Sequence, residues 1–238
     1  MRIIFFDTET TGISDADRLC QLAIKERGSS EPIVNSIYKP PLPIAIGAMA
    51  VHHITEKMVA ARPGFTDAPE YSELKNLFEH EDTVSVAHNA AFDIGMLARE
   101  SIAPSRTICT YTVARALDTE ETTGTYQLQY LRYLYDLEIE ASAHDAFGDV
   151  LVLEAVFEKL LEQAIEKKGS IDAALTEMLA ISARPMLFST LRFGKYKGKR
   201  IEDIARADRG YLQWLLGEKK KEPAGESDWI YTLEHYLS

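Results

Sequence analysis

Cysteine is scarce: the chain of 238 residues has only Cys20 and Cys109. Two cysteines without a secretory leader argue against a disulfide framework and for a reducing compartment, the cytoplasm. Long apolar runs are missing as well. Nothing approaches the roughly 18 residues that cross a bilayer, so no membrane partner is expected. The opening residues, Met1-Arg2-Ile3-Ile4-Phe5-Phe6-Asp7, pass at once into a strand-like run and lack the charged region and cleavage site of a signal peptide. An excess of basic residues is also absent, the formal net charge being −11. That value weighs against a polyanionic partner until it is divided along the chain. Residues 1–165 carry 13 Lys and Arg against 26 Asp and Glu, whereas residues 184–238 carry 11 against 8. The acidity is confined to the first two-thirds, and the tail is mildly basic.

What is present is an ordinary globular composition, 46% hydrophobic and 26% charged. Ile3-Ile4-Phe5-Phe6 is a wholly apolar run, as expected of a strand buried on both faces. Leu19 to Lys25 and Ile33 to Tyr38 read as the next strands of a meander, Thr83 to Ala87 as a fourth and Arg106 to Cys109 as a short fifth. Helical patterns run over Glu70–Glu79, Phe92–Glu100, Tyr111–Leu117, Gln127–Leu134 and Asp145 to about Lys167, and a short helix ends near Ile181. The fold class is mixed α/β. We expect a first domain over 1–167, a connecting helix or linker over 168–185, and a small α+β module over 186–238. That module reads as a hairpin around Phe193–Ile201, then helices at Glu202–Ala207, Tyr211–Leu216 and Trp229–Tyr236, with a mobile loop over Gly217–Asp228.

Three acidic segments carry the chemistry. Asp7 and Glu9 are two residues apart on an extended chain and share one face. Such a pair repels unless it is solvated, protonated or neutralised, and hard divalent cations want these oxygen ligands. The alternative is a strand running into the polar turn Thr10-Thr11-Gly12. Asp93, in His88-Asn89-Ala90-Ala91-Phe92-Asp93, falls in a first helical turn, where an acid also suits the helix dipole. His144-Asp145-Ala146-Phe147-Gly148-Asp149 opens the longest helix. His144 reads as a loop residue just before it and Asp145 as a cap; a lone His in that place is commonly structural.

In this order and spacing the segments resemble the DEDDh, or DnaQ-like, 3′→5′ exonuclease family. That family's Asp-x-Glu-Thr-Thr-Gly stands as Asp7 to Gly12, its His-Asn-Ala-x-Phe-Asp as residues 88–93, and its His with Asp five positions later as His144 and Asp149. A fourth segment, Val51-His52-His53-Ile54-Thr55, matches one whose first His contacts the terminal nucleotide. His53 stands where the family has Gly, and Cys109 where most relatives have Asp. The resemblance covers residues 2–165, and Arg192 to Lys199 with Gly210 to Leu215 resembles the tail of one branch of the family.

The resemblance implies an RNase H-like fold and a metal-dependent nuclease. It implies Asp7, Glu9, Asp93 and Asp149 as ligands of two Mg²⁺ or Mn²⁺ ions and His144 as general base. Thr10, His52 and Phe92 are implied as substrate contacts. The implied partner is nucleic acid, DNA ahead of RNA. An RNA-directed member of the family and a non-catalytic nucleic-acid-binding protein on the same fold are the alternatives. In the tail, Lys195, Lys197 and Lys199 either meet phosphates, with Tyr196 stacking on a base, or face solvent. Tyr211, Trp214 and Leu215 read as core packing.

Overall fold

The structure, a computed structural model, describes residues 1–119, 123–139, 146–222 and 226–238. Its sheet is built from β1 (Arg2–Thr10), β2 (Leu19–Glu26), β3 (Pro32–Ile37), β4 (Thr83–Ala87) and β5 (Thr107–Cys109), in the order β3-β2-β1-β4-β5. β1, β2 and β3 form the antiparallel meander, while β4 lies parallel to β1 and β5 parallel to β4. β1 is therefore central, and its apolar run has to be buried on both sides.

Alternation along β1 feeds two cores. Ile3 and Phe5 enter one, with Phe5 edge-on to Phe157 at 5.2 Å. That side is covered by α5 (Thr110–Leu117), α6 (Leu128–Leu134), α7 (Ala146–Lys168) and α8 (Ile171–Ser182). Ile4 and Phe6 enter the other, with Phe6 edge-on to Phe78 at 5.1 Å, under α3 (Tyr71–Glu79) and α4 (Ala91–Arg99). Lys25 and Arg27, from β2 and the turn after it, pair with Glu154 and Glu158 of α7. Lys25 is buried, and its pairing removes the cost of an isolated interior charge. α8, expected as a connector, sends Ala174, Leu175, Met178 and Ile181 into the first core. Its start is capped by the Ser170 side chain, which accepts from the Ala173 N–H.

Two short helices between β3 and α3 lie outside the sequence expectation: α1 (Ile46–His52) and α2 (Glu56–Val59). Neither has a side-chain N-cap, and α1 buries only His52, so the amphipathic signal is weak. α1 ends on His53 at φ 62°, a left-handed residue whose N–H returns to the Met49 carbonyl. That geometry accounts for the family's Gly at this position.

The chain divides into two compact units, Met1–Ala183 and Arg184–Ser238. The second contains α9 (Ile201–Ala207), α10 (Arg209–Lys221) and α11 (Ser227–Leu237) around Phe188, Leu191, Ile204, Leu212, Leu215 and Leu233. In place of the expected hairpin it has one isolated bridge, Thr190 to Arg200, closed by turns in which Gly194 and Gly198 take φ of 69° and 82°. The expected mobile loop is also corrected over Gly217–Lys221, which continues α10. Lys219 pairs with Glu226, Lys220 with Glu234 and Lys221 with Glu218, and a single glycine costs a helix only about 1 kcal/mol. No helix among the described residues is long and apolar enough to cross a membrane.

Candidate active site

The site forms at the carboxyl end of β1, where ligand sites of open α/β sheets are found. By the strand alternation Asp7 and Glu9 follow Ile3 and Phe5 toward α7, and Asp149 stands in the first turn of that helix. The three side chains bring one carboxylate oxygen each within 4.8 Å of one another, half-buried. Three anions that close raise each other's ionisation cost and form a hard-oxygen donor set for a divalent cation. α6 supports it: Gln129 Nε2 donates to Asp149 Oδ1 at 2.7 Å. Arg132 donates to Gln129 Oε1 at 3.4 Å and also bonds the Ile139 carbonyl, so the amide presents its NH₂ to the carboxylate. Sequence reasoning missed Gln129, and no motif marks it.

Asp93 arrives from the other side of the strand. Thr8, between the two acids, points toward α4, and both its N–H (3.1 Å) and its hydroxyl (2.6 Å) donate to Asp93 Oδ1. Asp93 is thus held beside β1 but outside the group of three oxygens within 4.8 Å. Burial pushes its carboxyl up to about 7, against the Thr8 hydrogen bonds, which act to lower it. The turn that delivers α4 uses Asn89 at φ 57°, a left-handed position that Asn tolerates better than most residues. His88, at the same turn, is inward: its Nδ1 lies 2.8 Å from Thr110 Oγ1, and burial pushes it down to about 4, so it is neutral. Cys109, which stands where most of the family has Asp, accepts the Ala90 N–H on its Sγ at 3.4 Å. His144 and Asp145 lie outside the described residues.

Beside Glu9 opens a cleft of about 490 Å³ lined by Thr10, Ile13, Val51, His52 and Phe92 among others. It gathers the three substrate contacts expected in this unit. His52 Nδ1 accepts the Ile54 N–H at 3.0 Å, which leaves the proton on Nε2 to be given to the Thr10 carbonyl at 3.1 Å. Burial lowers its pKa, so a neutral ring forms part of the wall. Ile13 stands at the cleft with 91% of its surface exposed. The loop before it is tied by Asp17, whose carboxylate accepts from Thr11 Oγ1 (2.6 Å) and from the Ser14 N–H (2.7 Å). A Cβ on Gly12 would lie 2.7 Å from that carboxylate, which explains the glycine. Lys195, Tyr196, Lys197 and Lys199 belong to the second unit.

The described chain matches known proteins in both units. The exonuclease family model covers residues 4–157, and the exodeoxyribonuclease X-like C-terminal model covers residues 191–220. Exodeoxyribonuclease 10 of Escherichia coli (strain K12) is 32% identical over 247 residues, spanning 100% of this chain and 98% of that protein. A DNA polymerase III subunit epsilon-like protein of Rhodobacter capsulatus is 30% identical over 192 residues, covering 75% of this chain and 26% of its own length. Among solved structures, exonuclease X in complex with 5′-overhanging duplex DNA superposes with a TM-score of 0.58 at 25% identity, over 76% of this chain and 99% of that one. The mixed sheet is the RNase H-like sheet of these enzymes, and with its acids gathered at the end of β1 the chain belongs to the DnaQ-like exonuclease family.

Proposed function

We propose that the chain is a metal-dependent 3′→5′ exonuclease that removes nucleotides from DNA 3′ ends, single strands foremost, and releases nucleoside 5′-monophosphates. The observation that carries this reading is the group Asp7, Glu9 and Asp149 beside a cleft lined by Thr10, His52 and Phe92. The similarity to an exodeoxyribonuclease along the whole chain supports DNA over RNA.

The donor set fits hard divalent cations: three crowded carboxylates, with Asp93 as a fourth whose burial favours the neutral form until a positive charge arrives. Asp7, Glu9, Asp149 and Asp93 would hold two Mg²⁺ or Mn²⁺ ions. Such ions, when bound, activate a water nucleophile and stabilise the leaving 3′ oxygen of an in-line displacement. The chain's own groups do the remaining work. Gln129 and Thr8 hold two of the carboxylates in place without neutralising them. Phe92 and the neutral His52 ring offer flat surfaces to the terminal nucleotide. His144, five residues before Asp149, is assigned as general base, since an imidazole with a pKa near 6.5 accepts a proton around neutral pH. The two free, buried cysteines accord with a cytoplasmic setting.

The test is 5′-labelled single-stranded DNA and RNA incubated with Mg²⁺ or Mn²⁺. A DNA ladder shortening from the 3′ end, absent in EDTA and absent with Asp7→Asn, is expected. Faster loss of RNA would move the enzyme to the RNA-directed reading, and no product from either would leave a binding protein. His144→Ala should lower turnover by roughly 10²–10⁴ with metal affinity retained, and flatten the acidic limb of the pH–rate profile. An unchanged profile assigns the base elsewhere.

A further inference from the structure

We propose that the second unit carries a single-strand-binding face of its own, centred on Trp214, in which the indole stacks on an unpaired base while Lys197 and Lys199 meet phosphates. The identity of the occupant, a nucleic-acid strand, rests on the nuclease reading; the face itself rests on the following geometry.

The chain has two tryptophans, and they are treated differently. Trp229 packs against Phe188 at 4.4 Å and Phe193 at 4.8 Å. Trp214, on α10, is 57% exposed although Leu212 and Leu215 on the same helix are fully covered. An exposed indole forgoes one of the largest burial gains a side chain offers, and such residues concentrate where a partner supplies the missing contact.

Trp214 is also braced. Its ring lies 5.6 Å from that of Tyr211, which lies 5.1 Å from that of Tyr196, and Lys195 Nζ sits 4.7 Å from the Tyr196 centroid. The Tyr196 hydroxyl donates to Asp208 Oδ2 at 2.7 Å, and Asp208 also caps α10 by accepting the Tyr211 N–H. A Cβ on Gly194 would fall 2.6 Å from the Tyr211 hydroxyl, so the glycine turn is seated directly on the helix. Tyr196 is committed within this brace, and Trp214 is the ring left open at its end. Stacking therefore falls to Trp214, and Tyr196 orients the row.

The charges fit the same occupant. Lys195 is tied to Asp208, Arg206 to Glu202, and Lys219, Lys220 and Lys221 to Glu226, Glu234 and Glu218. Lys197 and Lys199 are exposed and have no acidic partner among the described residues. They lie on the turn that carries Tyr196, in the basic portion of an otherwise acidic chain. An open ring at one end of the row and two unpaired lysines on the turn that carries Tyr196 at the other fit a polyanion with accessible bases, which is single-stranded rather than duplex nucleic acid.

The experiment titrates the full-length protein in EDTA with an oligo-dT of about 16 nucleotides, a length within the single-strand site sizes of small domains. Anisotropy and tryptophan emission are followed together. Wild type should bind with quenching of the exposed indole, and a blunt duplex should not quench it. Trp214→Ala should weaken the oligo-dT affinity roughly 5- to 100-fold, with Trp214→Phe restoring most of it. Lys197→Ala with Lys199→Ala should lower the slope of log affinity against log salt by about 1.4, at about 0.7 for each lost contact. With Mg²⁺ added, a dinucleotide should be cleaved by Trp214→Ala as by wild type. Failure of wild type in that last arm indicts the nuclease reading alone, because the binding arms contain no metal. Unchanged oligo-dT affinity and salt slope in these variants, with Trp229 emission showing an intact fold, would overturn the proposal and leave the face to another kind of partner.

Discussion

Asp93 shows most directly how one residue can be set against stability. Its carboxyl is buried, accepts two hydrogen bonds from Thr8, and titrates near 7 rather than near 3.8. Between those values the folded, metal-free protein holds a proton that the unfolded chain has released. Stability from this group is therefore present below about pH 4, falls as pH rises toward 7, and stays low above it. Asp93→Asn keeps an oxygen for both Thr8 donors and removes the titration. In EDTA the variant should gain little at pH 4 and about 2–4 kcal/mol over wild type at pH 8, with turnover lost. Urea midpoints at the two pH values check this. A gain independent of pH would mean that burial of the charge is not what distinguishes the two side chains.

At the scale of elements, the seven-residue α6 acts as a positioning element for the first turn of α7. Its Gln129 reaches Asp149 while Arg132 fixes the amide from behind. Groups that orient a metal ligand commonly contribute 10- to 100-fold in metal affinity or activity. Gln129→Ala should weaken Mn²⁺ binding by about that factor, read as the Mn²⁺ concentration needed to raise the unfolding temperature. The KM for a dinucleotide should be unchanged while kcat falls. A Mn²⁺ titration that overlays wild type would reduce Gln129 to a surface bond. The meander and the long helices of the first unit were legible because alternation in β1 and the 3.6-residue period in α7 are strong signals. α1 and α2 were not: they are short, uncapped, and leave Ile46, Val51 and Met58 on the surface. The continuation of α10 through Gly217 was hidden for another reason. Its support comes from Glu226 and Glu234, residues beyond the helix itself.

Across the whole molecule, sequence by itself determined which residues could do chemistry. Asp7 and Glu9 share a strand face by parity alone, and the order of the acidic segments, with the His-Asn turn between them, identified the family. The charge also changes along the chain, from an acidic first two-thirds to a mildly basic tail over residues 184–238. Tertiary structure decided how those residues are grouped. It brings Asp149 to Asp7 and Glu9 because α7 covers the Phe5 side of β1, and holds Asp93 with Thr8 because α4 covers the Phe6 side. It likewise leaves Trp214 outward, since Leu212 and Leu215 fill the core and one helix cannot turn all its apolar residues the same way. Periodicity within a segment specifies a face, but which partner meets that face depends on packing between segments distant along the chain.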